Sequence, residues 1–228
     1  DGGKYLDVKS AISRAHGLIA AGADIIDIGG ESSKPGAVSV TAKEEIERVI
    51  PVIKEVVGFG VPISIDTKKS SVMEAAIIAG ASIVNDITAL SGDPRSIGLL
   101  KELGVPVILM HMQGSPKNMQ NNPSYKNELL DIYDFFEERI QKVNDEKVIL
   151  DPGIGFGKVL KHNLTLISKI SLFHSLGFPI LIGTSRKRFI NQIAGKYDSN
   201  DRTGGTIASV LFLLSQGVQI FRVHNVQE

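Results

Sequence analysis

Residues 61–67 read Val61-Pro62-Ile63-Ser64-Ile65-Asp66-Thr67, an apolar, β-branched run that stops on a carboxylate and a hydroxyl. Such a run reads as a strand over Val61–Asp66, and the stretch that follows reads as a helix through Ala79. The same arrangement occurs seven times along the chain. The stops are Asp27-Ile28-Gly29-Gly30-Glu31-Ser32-Ser33, Asp66-Thr67, Asn85-Asp86, His111-Met112-Gln113, Asp151-Pro152-Gly153, Gly183-Thr184-Ser185-Arg186-Lys187 and Arg222-Val223-His224-Asn225. Strands that alternate with helices imply a parallel sheet. Closed into a barrel, such strands bring their stops to one rim, where barrel proteins keep their chemistry.

The expected elements follow in order. A helix runs from Asp7 to Ala21 with Gly22 as its stop, and a strand covers Asp24–Ile28. Thr41 caps the next helix, with Glu44 three residues on as in a capping box. Pro51 inside that helix predicts a kink or a break. Further strands are expected at Ser82–Asn85, Val105–Met110, Lys147–Leu150, Pro179–Ile182 and Gln219–Val223. Helices are expected from Asp93-Pro94, from Tyr125 to Asn144, over Asn163–Ser175, from Arg186 to about Gly195, and from Arg202 to Gln216. The fold class is therefore α/β, a TIM (β/α)8 barrel. Seven strands stand where a closed barrel needs eight. Because the sequence opens on a helix and ends on a strand, the simplest account is that a first strand and a final helix are missing. A complete seven-stranded open sheet is the alternative. No linker or repeat divides residues 1–228, so a single, incomplete barrel domain is expected. The gap would expose strand edges, so these residues alone are expected to be poorly soluble or inactive.

Composition narrows the classes. With 43% hydrophobic and 22% charged residues among 228, the chain is of ordinary globular type, and zero net charge gives no nucleic-acid or membrane footprint. Zero cysteines exclude disulfides and Cys-ligated zinc and fit a reducing cytoplasm. Neither a spanning stretch nor a signal peptide before Asp1 is expected.

Asp151-Pro152-Gly153-Ile154-Gly155-Phe156-Gly157-Lys158 is the most distinctive segment. A Walker A loop would need Gly at Pro152 and Ser or Thr at Val159; a dinucleotide fingerprint from Gly153 would need Gly at Lys158. Both fail, leaving a carboxylate at a strand end beside a glycine-rich loop. The bland alternative is a turn-forming Asp. Ser185-Arg186-Lys187-Arg188 opens a helix, and three cations there oppose the helix dipole, so a bound anion is the natural partner. A solvated basic turn is the alternative. Arg222 and His224 alternate on the last strand, point the same way and suit a phosphate or pyrophosphate, unless Arg222 simply reaches solvent. Asp66 and Asn85 end neighbouring strands and can read a heterocycle offering adjacent donor and acceptor groups; Asn85-Asp86 could also be turn chemistry. His111 reads as a structural loop histidine, His16 and His162 as surface, and Lys43, Glu44, Glu45 and Glu47 as a solvated helix face.

Taken together the segments resemble the dihydropteroate synthase family of pterin-binding enzymes. The resemblance rests on Asp27 to Gly36, Ile63 to Thr67, Asn85 to Ile87, Met110 to Met112, Asp151 to Lys158, Ser185 to Lys187 and Arg222 to Asn225, in order from end to end. It implies a (β/α)8 barrel that joins p-aminobenzoate to 6-hydroxymethyl-7,8-dihydropterin pyrophosphate, giving 7,8-dihydropteroate and pyrophosphate in folate synthesis. It further implies Mg2+, a cytoplasmic homodimer, and a sulfonamide target, with small molecules rather than nucleic acid or membrane as partners. By the same resemblance Asp66, Lys187, Arg222 and His224 would be catalytic. Asn85, Asp151, Met110 and Ile87 would surround the pterin. Ser33, Lys34, Pro35 and Phe156 would flank the aminobenzoate, whose carboxylate would lie near the start of the helix that opens at Arg186, in contact with Arg188; Gly183, Ser185 and Arg186 would also be substrate-binding. The reaction needs no protein nucleophile, because the arylamine is itself nucleophilic.

The chain departs from the family pattern in three places. The Asn-bearing loop that supplies a metal ligand would precede Asp1, Asp1-Gly2-Gly3 reading as its tail; Lys34 stands where Arg is usual, losing the planar fork; and Arg188 stands where Ser is common. Three other readings are weaker. A pterin-binding methyltransferase domain has no need of Ser185-Arg186-Lys187 or of Arg222 with His224. An inactive pterin-binding fragment would not need to keep these charges. A Schiff-base aldolase would use Lys187, between two arginines.

Overall fold

The computed structural model describes residue 3 and residues 5–143, 147–195 and 202–227. They fall into two compact units, one reaching to Leu109 together with Asn225–Gln227, the other from Met110 to His224.

In the first unit the order is α1 (Val8–Ala20), β1 (Ile26–Gly29), α2 (Ala42–Val56), a 3-10 turn at Val57–Phe59, β2 (Ile63–Asp66), α3 (Ser70–Ile78), β3 (Ile83–Asp86), α4 (Ser96–Leu103) and β4 (Val107–Met110). All four strands are parallel, each sequential neighbour paired with the next: Ile28 faces Ile65, Asp66 faces Asn85, and Asn85 faces Ile108. Side chains alternate across a strand and residues in register share a face. One face therefore carries Asp27, Gly29, Ser64, Asp66, Ile83 and Asn85. The other carries Ile26, Ile63, Ile65 and Val84, all buried in the core.

Asp7 caps α1 by accepting from the Ser10 N–H at 2.9 Å. Thr41 caps α2 through the Glu44 N–H at 3.2 Å, while the Glu44 carboxylate goes to Arg48 at 2.5 Å. The break expected at Pro51 does not occur, and α2 continues through it. The solvated face expected for this helix is wrong at one position, since Glu45 is fully buried. It sits on the stripe of Val49, Val52, Ile53 and Val56, the spacing that faces a core. The helix expected from Asp93-Pro94 starts later, at Ser96. Asp93 instead accepts from Arg95 N–H at 2.9 Å and, across the sequence, from Ser70 N–H at 3.0 Å, so its carboxylate caps α3.

In the second unit the order is α5 (Glu128–Val143), β5 (Val148–Asp151), α6 (Leu160–Ser168), a 3-10 helix at Ile170–Leu176, β6 (Leu181–Ile182), α7 (Arg188–Ala194), α8 (Thr203–Ser215) and β7 (Ile220–Phe221). Asn127 opens α5 by accepting from Leu129 and Leu130; Asn144, where that helix was expected to end, lies outside the described residues. His111 N–H donates to Asp151 O at 2.9 Å, Leu150 bridges Ile180 in parallel, and β6 pairs with β7. Phe136, Phe173, Leu150, Ile132, Leu166 and Ile170 fill the core of this unit, none more than 0% exposed. The described residues thus hold the seven strands that the sequence predicts.

Two expectations need correcting. No helix opens at Arg186: its φ of 57° is left-handed, so α7 begins only at Arg188. Arg186 is held there by its N–H to Thr206 Oγ1 at 3.2 Å and its carbonyl, which accepts from Arg202 Nη1 at 2.9 Å. β7 also ends at Phe221, so Arg222 and His224 follow the strand rather than alternate within it.

Candidate active site

The first unit contributes a carboxylate–amide pair. Asn85, 6% exposed, points Nδ2 at both oxygens of Asp27, each at 3.4 Å. Asp66 stands beside Asn85 in register, with Gly29 on its other side. A Cβ on Gly29 would meet Asp66 Cβ and O at 3.1 Å, so glycine there leaves Asp66 its place. Asp86, the next residue of β3, points the other way. It accepts from Thr88 N–H and Oγ1 at 2.7 Å and from Leu90 N–H at 3.1 Å, holding Ala89 and Leu90 in left-handed conformations. Asn85 is thus free of the turn duty that its neighbour performs.

The loop after β1 is tied at its base. Glu31 accepts from Lys68 at 2.8 Å, Lys69 at 2.5 Å, Ser39 Oγ at 2.9 Å and Val40 N–H at 3.1 Å, while Lys69 also reaches the buried Glu45 at 2.5 Å. Burial opposes ionisation of Glu31, but the lysines and the two loop donors outweigh it and hold its pKa at about 2. Ser33, Asp66 and Ile87 line a cavity of about 10 Å3 with this network, whereas Lys34 and Pro35 are exposed. Room for about one water is all that volume offers.

The second unit contributes a cluster of charge. Asp151, 8% exposed, accepts from Gly153 N–H at 2.8 Å. Burial pushes its pKa up; Lys187, the Gly153 N–H, Lys158 and Arg222 oppose that and favour the carboxylate. Lys187 donates to the Ile154 carbonyl, and its Nζ stands 4.7 Å from the centre of the Phe156 ring. Burial, set against Asp151 and reinforced by Arg222, lowers its pKa to about 8. Gly183 and Gly155 flank this ammonium: a Cβ on Gly155 would meet Lys187 Cδ at 3.2 Å, and one on Gly183 would lie 3.7 Å from Arg222 Cβ. Arg222 follows β7, its N–H donating to Ile182 O at 2.9 Å, and it is exposed. Ser185 Oγ lies 3.2 Å from His224 N and 2.9 Å from His224 Nδ1, so Ser185 fixes His224.

Within each unit, then, most of the expected residues converge. Asp66, Asn85, Ser33 and Ile87 belong to the first. Asp151, Lys187, Phe156, Gly183, Arg222, Ser185 and His224 belong to the second, with buried Met110 at the end of β4. Arg188 is exposed in the first turn of α7, and Arg186 is spent on the turn before it. The helix start expected at Arg186 stands two residues later, at Arg188, behind a left-handed Arg186.

The sequence reading passed over three participants. Asp27 is one strand alternation before Gly29, on the face that carries Asp66 and Asn85, and period-two spacing could have found it. Glu31 with Lys68 and Lys69 leaves no local signal, since the partners are 38 residues apart. Lys158 with His111 joins residues 47 apart, which no local pattern announces.

The pterin-binding enzyme model matches residues 1–224, and the chain belongs to that family of enzymes. Relatives that it matches include proteins named dihydropteroate synthase. It is 42% identical to that of Escherichia coli K12 over 234 residues, covering 100% of this chain and 82% of the relative, and 42% identical to that of Bacillus subtilis, covering 100% and 79%. Among solved structures, the Yersinia pestis enzyme in a sulfonamide drug complex matches with a TM-score of 0.96 at 40% identity, covering 100% of this chain and 84% of that one. The Xanthomonas albilineans enzyme in complex with 7,8-dihydropteroate matches with a TM-score of 0.88 at 36% identity, covering 100% and 83%. The fold class expected from the sequence, the (β/α) barrel, is that of these structures.

Proposed function

We infer that this chain is a transferase of folate biosynthesis, catalysing the dihydropteroate synthase reaction: p-aminobenzoate displaces pyrophosphate from 6-hydroxymethyl-7,8-dihydropterin pyrophosphate. The structural observation that carries the reading is the meeting of Asp151, Lys187, Phe156 and Arg222 around two glycines. A pterin edge presents adjacent N–H and amino donors, which a carboxylate such as Asp151 accepts, and the Lys187 ammonium donates to a ring acceptor. Cleavage of the methylene C–O bond leaves charge on pyrophosphate, which Arg222 and His224 stabilise. The amine of p-aminobenzoate then forms the C–N bond and loses its proton to solvent.

The single family model runs through both units, which supports treating residues 1–228 as one pterin-binding domain. A sulfonamide, itself an arylamine, would compete for the aminobenzoate position. Mg2+ belongs to the same proposal as a companion of the pyrophosphate oxygens. Among the described residues no group of three or more His, Asp or Glu side chains is placed to hold a metal ion; Mg2+ commonly takes only one or two protein ligands beside substrate phosphates. A cytoplasmic homodimer completes the reading; no helix among the described residues is long and apolar enough to cross a membrane. Sedimentation would test the dimer. Incubation with both substrates, followed by detection of 7,8-dihydropteroate and pyrophosphate in equal amounts, tests the reaction. Failure to form either product would overturn it.

Two expected results arise here. Arg222→Ala should lower turnover by roughly 100-fold, the scale of one lost charge stabiliser. Binding of the pyrophosphorylated pterin should weaken while the bare pterin binds as before, which calorimetry with the two ligands resolves. Turnover should also fall on the alkaline side with a midpoint near pH 8, where Lys187 loses its proton. Stability changes in the opposite sense. Between the folded pKa of about 8 and the ordinary lysine value of 10.5 the unfolded chain holds more protons, so stability from this group rises with pH. Below about 8 both states are protonated and the destabilisation is fully present. Lys187→Met should remove both the alkaline limb and that slope.

A further inference from the structure

Lys158 is 3% exposed and His111 is 7% exposed, and no step of the reaction above uses either. Lys158 Nζ lies 2.9 Å from His111 Nδ1, 3.3 Å from His111 O and 3.0 Å from Phe156 O. Three acceptors match the three N–H donors of an ammonium. Burial and the Lys158 charge hold the His111 pKa at about 2, so the ring is neutral and its Nδ1 accepts. An apolar side chain would fill this space without the desolvation penalty of a buried cation. What a lysine adds is a three-way tie between His111, which follows β4, and the glycine loop; burial lowers its pKa well below the usual lysine range, while Asp151 opposes that and favours the charged form.

The loop is fitted to that tie. Gly153 and Gly157, both left-handed, press against the backbone of His111 and Gln113, leaving no room for a Cβ. Gln120 Nε2 donates to Gly155 O and Tyr125 OH to Gly157 O, each at 2.7 Å. From its other side the same loop holds Lys187, through the Ile154 carbonyl and the Phe156 ring. The carbonyl that Lys158 grips thus belongs to the residue whose ring lies under Lys187.

We infer that Lys158, with His111 as its acceptor, is a positioning residue for pterin binding: it clamps the 153–157 loop and so sets where Asp151 and Lys187 stand. The inference rests on the pterin-binding reading above. The chain has no cysteine, so Lys158→Cys creates its sole thiol, and S-aminoethylation in denaturant followed by refolding restores an ammonium of nearly lysine length. Calorimetric titration with 6-hydroxymethylpterin should show Lys158→Met and unmodified Lys158→Cys binding at least tenfold more weakly at unchanged stoichiometry. The aminoethylated protein should return to within threefold of the parent. A merely structural role would lower the stoichiometry, through fewer folded molecules, and leave the dissociation constant alone; that result, or parental affinity in Lys158→Met, overturns the inference. So does aminoethylation that restores the melting temperature but not the affinity. Should Lys158→Met not fold, His111→Ala keeps the ammonium and removes one acceptor, and is expected to weaken binding at least threefold; unchanged affinity overturns the inference equally. A parent chain that does not bind the pterin would instead defeat the functional reading itself.

Discussion

Asp151→Asn is expected to lower kcat/KM for the dihydropterin pyrophosphate by about 10,000-fold, on the scale seen when a site built to bond a polar substrate loses that match. The amide is nearly isosteric, and its oxygen can keep the Gly153 N–H that Asp151 now accepts at 2.8 Å. The loss is therefore one of charge and of acceptor count. A pterin edge with adjacent donors would meet one oxygen and one NH2, and donor would face donor. Lys187, Lys158 and Arg222 would also lose the carboxylate they share. Steady-state kinetics with each substrate varied, together with pterin titration, checks this. Pterin affinity equal to that of the parent would remove Asp151 from the site.

Gly153→Ala is expected to destabilise the chain by about 3 kcal/mol and to abolish turnover, combining left-handed strain with an overlap the backbone must relieve. The φ of Gly153 is 69°, and its Cβ would fall on the His111 carbonyl oxygen, a backbone atom that is itself bonded to Lys158. Gly36→Ala is the control. Its φ of 78° is similar, but nothing lies within 4 Å of its Cβ, so only the conformational penalty of about 1 kcal/mol remains. Urea denaturation of both variants separates the two contributions, and equal midpoints would show that the His111 contact carries no weight.

Local patterns made much of this molecule legible. Strand runs ending in polar residues placed Asp66 beside Asn85, because period two and parallel register leave those residues on one face. Caps at Asp7 and Thr41 were readable because capping is a matter of three residues. The errors lie where distant groups decide. Arg186 adopts a left-handed conformation that Thr206 and Arg202 hold from 20 and 16 residues away, so the helix expected there starts late. Asp93 caps a helix 23 residues earlier, which no local motif announces. Glu45 differs in kind: its spacing from Val49, Val52 and Val56 marked it as inward, and charge alone suggested otherwise.

An amine that gives up its proton near pH 8 is nucleophilic where ordinary lysines are still capped by theirs. With no thiol in the chain to compete, a sparing dose of an acylating reagent at mild alkalinity should therefore tag Lys187 ahead of the exposed lysines. A pterin seated over that nitrogen should shield it, so peptide mapping of the tag would report occupancy without any assay of product.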